Sequence, residues 1–89
     1  MFSVFKPQAA LAEIVEAWTV ADGPARTAIE VAMLDLERRL QEDPHGHGES
    51  RGDGSRVLFL PPLAVLVEID DDRRLVRVVR AWTFRRLAA

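Results

Sequence analysis

Eighty-nine residues with a formal net charge of -2 and no cysteine leave room for one domain and one modest core, which removes a little over ~60% of the unfolded surface from water. Without Cys, a disulfide framework and thiolate metal sites are excluded, and charges interrupt every apolar run well short of the ~18 residues of a membrane span. The expectation is a single domain over residues 1–89, soluble and cytoplasmic, with no secretory signal and no membrane contact.

In chain order, Phe2-Ser3-Val4-Phe5 is short and β-prone, and reads as a strand that joins a later sheet. Pro7 suits the first turn of a helix, where its missing N–H costs nothing. Leu11, Ile14, Val15 and Trp18 follow at i, i+3, i+4 and i+7, which predicts an apolar helix face with Trp18 in the core. Asp22-Gly23-Pro24 stops this helix, with Gly23 as a left-handed cap and Pro24 opening the next one. The second helix is predicted from Pro24 to Gln41, because Ile29, Ala32, Met33, Leu36 and Leu40 keep helical spacing. Arg26/Glu30, Asp35/Arg39 and Arg38/Glu42 are i,i+4 pairs on its flank. Two amphipathic helices with so short a break form an antiparallel hairpin.

Asp43-Pro44 ends the second helix, and the Gly-rich stretch from Pro44 to Ser55 has no periodicity. It reads as a long flexible loop, the kind of segment that often carries function. Arg56–Leu60, Leu63–Ile69 and Leu75–Trp82 are then apolar, β-branched runs, separated by Pro61-Pro62 and by the turn Asp70-Asp71-Asp72-Arg73-Arg74. Proline cannot donate to a ladder and so marks a turn, giving a three-strand antiparallel meander. The predicted fold is α+β of βααβββ order, an N-terminal strand and a helical hairpin packed on a twisted antiparallel sheet. Leu63, Val65, Val67 and Ile69 share one sheet face, while Leu66 lies on the other beside Ala64 and Glu68. A helical hairpin covers one face only, so apolar surface is left for the C-terminal segment, a second copy or a different protein.

Charge is divided unevenly along the chain. Residues 1–50 carry four basic side chains against nine carboxylates, and residues 51–89 carry eight arginines against five carboxylates. The sheet half is therefore cationic and built on arginine, the side chain suited to bidentate contact with carboxylate or phosphate. Arg51, Arg56, Arg80, Trp82, Arg85 and Arg86 are the candidate target- or nucleic-acid-binding residues. Under strict alternation Arg77 and Arg80 point to opposite faces, and Arg80 shares parity with Trp82, a ring that suits base stacking or partner anchoring. His45 and His47 supply at most half of a tetrahedral metal site, with Asp43 and Glu49 the nearest further ligands. No metal or cofactor is expected, and the three aspartates at 70–72 read as a polar turn.

The segment Gly48-Glu49-Ser50-Arg51, the run Arg56-Val57-Leu58-Phe59-Leu60-Pro61-Pro62-Leu63-Ala64-Val65, then Glu68-Ile69-Asp70-Asp71-Asp72-Arg73 and Val76-Arg77-Val78-Val79-Arg80-Ala81-Trp82 resemble the RelE/ParE superfamily of toxin–antitoxin toxins. The resemblance is densest from Glu49 to Trp82. It implies a toxin neutralised by a protein antitoxin, with either ribosome-bound mRNA or DNA gyrase as its target, in a homodimer or a toxin–antitoxin hetero-oligomer. It also implies that Arg56 and Arg85 match basic catalytic positions of RelE-like endoribonucleases. Leu58 stands where a second basic residue is usual, Ala64 and Val65 where an arginine is, and the chain has no tyrosine. The expectation is growth inhibition through binding with weak or no mRNA cleavage. Ribosome-dependent endoribonuclease activity and a degenerate, non-toxic family member are the alternatives.

Overall fold

The computed structural model describes residues 1–84. Its elements are β1 (Ser3–Phe5), α1 (Gln8–Val20), α2 (Gly23–Glu42), a 3₁₀ turn (Pro44–Gly46), β2 (Glu49–Gly52), β3 (Ser55–Leu60), β4 (Leu63–Asp70) and β5 (Leu75–Thr83). The strands form one sheet in the order β1-β5-β4-β3-β2. Neighbours are antiparallel except β1, which lies parallel to β5 through Ser3↔Leu75 to Phe5↔Arg77. The α+β fold with strand, helical hairpin and meander is as expected, and one strand more than expected is present.

That extra strand is β2, within the stretch read as a flexible loop. It pairs with β3 through Glu49↔Val57 and Ser50↔Arg56, and all four of its residues are exposed. An edge strand with no buried face has no apolar alternation, so the periodicity signal is missing. The turn chemistry is present instead: Gly52, Asp53 and Gly54 all have positive φ, at 86°, 51° and 79°, conformations that Gly and Asp tolerate best. Gly48 precedes the strand at φ 73°, and a Cβ there would stand 2.4 Å from the Val57 carbonyl oxygen. The backbone approach that starts the β2–β3 pairing therefore needs glycine at 48.

The helices are joined more tightly than a glycine cap would allow. Asp22 is the N-cap of α2, its Oδ1 accepting from the Ala25 N–H at 2.9 Å, and Gly23 is already the first helical residue. Pro24 sits in the first turn as expected. α2 buries Ile29, Ala32, Leu36 and Leu40, the stripe its spacing predicts. α1 presents a different face from the predicted one, burying Ala10, Ile14 and Ala17. These residues are spaced i, i+4, i+7, and the two alanines let the helix backbone approach the sheet closely.

Trp18 is consequently a surface residue, 38% exposed. Its indole Nε1 donates to Glu30 at 3.0 Å, and the Arg26 guanidinium lies 4.2 Å over its ring. The core sits between the hairpin and one sheet face, where Leu58, Val65, Val67, Val76 and Val78 meet Leu36 and Leu40. Leu58 and Leu60 are buried there and offer nothing to a partner.

Candidate functional site

Among the described residues no helix lies on the other face of the sheet, and its residues follow from the register. β3, β4 and β5 align Phe59, Ala64 and Trp82 in one row, Val57, Leu66 and Arg80 in the next, and Ser55, Glu68 and Arg77 in a third. Directly opposed side chains on antiparallel strands share a face with Cβ atoms about 4.5–5.5 Å apart. The small Ala64 is fully buried between two partly exposed rings, Phe59 at 47% and Trp82 at 40%. Phe84 joins them edge-to-face, its centroid 5.5 Å from that of Phe59, held by its N–H donating to the Pro62 carbonyl at 3.1 Å. An aromatic strip thus runs across one end of the helix-free face, with two arginines further along β5.

Arg77 and Arg80 share that face, against the expectation of strict alternation. Leu66 pairs with Arg80 while Val67 pairs with Val78, so Val79 is an extra residue in β5. A bulge of this kind shifts side-chain parity by one, placing Arg77, Arg80 and Trp82 on the same side. Bulges leave no mark in a run of valines, and this one is invisible in the sequence.

The remaining candidates are dispersed. Arg56 opposes Val67, which is a core-face residue. Its guanidinium donates to the His47 carbonyl at 2.7 Å and the Gly48 carbonyl at 3.0 Å, pinning the segment that leads into β2. Arg51 lies on β2, three strand spacings or ~14 Å from β5, and pairs with Glu49 at 3.2 Å. Arg85 and Arg86 lie outside the described residues. The arrangement unites Arg80 with Trp82, adds Arg77, Phe59 and Phe84, and leaves Arg51 and Arg56 elsewhere.

His45 Nε2 lies 2.6 Å from Asp71 Oδ1, and its ring meets Phe2 edge-on at 6.4 Å. Among the described residues no three His, Cys, Asp or Glu side chains are grouped to hold an ion. In the aspartate turn, Asp70 Oδ1 accepts from the Arg73 N–H at 3.1 Å. Among the described residues no helix is long and apolar enough to cross a membrane.

A second apolar surface lies between the helices. Ile14, Val15, Trp18, Ile29, Met33 and Leu34 line an open groove of about 580 Å³, rimmed by Lys6, Glu30 and Glu37. Lys6 Nζ pairs with Glu37 at 2.6 Å across one end.

No protein-family model matches the sequence, and no curated protein matches it. Solved structures do. A chain of the chromosomal ParDE TA system from P. aeruginosa superposes with a TM-score of 0.72 at 19% identity, covering 96% of this chain and 98% of that one. The isolated E. coli RelE toxin gives a TM-score of 0.70 at 17% identity over 98% of this chain and 88% of its own. The toxin–antitoxin complex RelBE2 from Mycobacterium tuberculosis gives 0.64 at 20% identity, covering 93% and 98%. At such identities the likeness is one of architecture, and it extends over nearly the whole length of both partners: this chain has the RelE/ParE fold.

Proposed function

We propose that this protein is the toxin of a type II toxin–antitoxin pair of the RelE/ParE superfamily, inhibiting growth by binding its target through the helix-free sheet face and neutralised by a protein antitoxin. The observation that carries the reading is the exposed strip of Phe59, Trp82 and Phe84 beside Arg80 and Arg77, in a fold whose solved examples include toxin–antitoxin complexes. Rings with interleaved arginines suit stacked bases and phosphates of a single-stranded nucleic acid. Lysine-poor, arginine-rich contact also suits bidentate recognition.

Cleavage of the bound RNA is weak or absent in this reading. Scission needs a positioned proton acceptor and charge stabilisation where the phosphorane forms, and each commonly contributes ~10²–10⁴-fold. The three rows of the face hold no histidine, the chain has no tyrosine, and the Arg56 guanidinium is engaged with backbone carbonyls. Ribosome-dependent endoribonuclease activity is the second reading, favoured by Arg85 and Arg86 following Phe84 directly in the sequence. Inhibition of gyrase is the binding-only output known for ParE-like toxins.

Induced expression in a bacterial host tests the class. Growth arrest is expected, relieved by Trp82→Ala combined with Arg80→Ala and, where a small reading frame adjoins the gene, by its co-expression. Normal growth under full induction of the wild-type chain identifies a degenerate, non-toxic member instead.

A further inference from the structure

Glu13 of α1 reaches the basic edge of the face just described. Its Oε2 accepts from Arg80 Nε at 2.9 Å and stands 2.9 Å from the second guanidinium nitrogen, and Oε1 accepts from the Ala81 backbone N–H at 3.1 Å. The position has a structural cause. β1 pairs with residues 75–77 of β5, so beyond Arg77 this edge of β5 has no strand neighbour among the described residues, and α1 packs against β5. A fixed strand-edge N–H beside a forked guanidinium makes an oxyanion cradle, and here the chain's own carboxylate fills it. The pair is accessible, with Glu13 and Arg80 side chains 28% and 62% exposed.

We propose that Arg80 and the Ala81 N–H form a phosphate site on the RNA-binding face, and that Glu13 is its internal competitor, displaced when RNA binds. The inference rests on the reading of this face as a nucleic-acid surface and adds the residue that sets its affinity. A phosphate fits better than the carboxylate of an extended acidic peptide. α1 already packs against β5, with Glu13 on the Ala81 N–H that an added strand would need, while Trp82, two residues on from Arg80, supplies a ring for the adjoining base. Exposed pairs of this geometry are weak, so the cradle opens without unfolding, and the competition costs RNA affinity a few-fold.

The test is fluorescence anisotropy of the full chain with an eight-nucleotide uridine-rich single-stranded RNA at several salt concentrations. Glu13→Gln keeps an amide oxygen for the Ala81 N–H and removes the charge. It is expected to bind about two- to five-fold tighter than wild type, with a plot of log affinity against log salt steeper by about 0.7, one phosphate contact. Arg80→Ala should abolish the gain, and Glu16→Gln, the same charge change on the exposed side of α1, should not produce it. Glu13→Asp, which withdraws the carboxylate by one methylene, should give a smaller gain. Unchanged affinity and slope in Glu13→Gln, with Trp82-dependent binding by wild type, would overturn the competitor and leave the face intact. No RNA binding by either protein overturns both, and a gain shared by Glu16→Gln reduces the effect to net charge and overturns the site.

Discussion

Arg56 illustrates how one residue's position limits its role. The resemblance to RelE-like toxins implies Arg56 at a basic catalytic position, yet both of its hydrogen bonds go to carbonyls of His47 and Gly48. Hydrogen bonds from a charged donor contribute about 1.5–3 kcal/mol each, enough to hold the approach to β2 in place. Arg56→Ala is therefore expected to speed amide hydrogen exchange in residues 47–52 while leaving the α2 amides protected. Trp18 and Arg77 show the limits of period counting at this scale. Trp18 fell on an apolar helical stripe, but the stripe that packs is Ala10, Ile14 and Ala17, because small residues permit the closer approach. Arg77 moved faces because Val79 is an extra residue in β5, and nothing in Val78-Val79 distinguishes a bulged valine from a paired one.

At the scale of elements, α2 was readable almost to its ends, since four core residues repeat at helical spacing and Pro24 marks its start; that Asp22 caps it was not read. β3, β4 and β5 were readable for the same reason: one face of each is buried. β2 was not, because it packs on nothing, and only Gly52-Asp53-Gly54 announced its hairpin. The two kinds of stabilisation in α2 predict different pH behaviour. Leu36 is fully buried, and Leu36→Ala should cost roughly 2–5 kcal/mol at every pH. Asp35 is held below its ordinary carboxylate value by the Arg39 and then the Arg38 guanidinium, with Arg39 Nε at 2.9 Å and Arg38 at 2.7 Å. A folded-state pKa below the unfolded one adds stability that is fully present above the unfolded value and lost as pH falls through the folded one. In chemical denaturation Asp35→Asn should thus be less stable than wild type at neutral pH, with the difference closing below the ordinary carboxylate value. A difference that persists unchanged into acid would assign the cost to packing.

For the whole molecule, charge and layering divide the work. The helical half is acidic and covers one sheet face, while the other face, among the described residues, carries three rings and two arginines and no helix. The sequence grouped Arg80 with Trp82, which the register also puts on one face, but it added Arg51 and Arg56, which lie away from that pair. Several groups associated with RNA scission in RelE-like toxins are absent together, so binding is the stronger reading of the face. The most direct trial is primer extension on mRNA held by purified translating ribosomes, with the protein added in stoichiometric amount. The expected result is little or no codon-positioned cleavage. Robust cleavage that Arg56→Ala/Arg85→Ala abolishes would contradict the account and make those two arginines the charge-stabilising pair of an endoribonuclease.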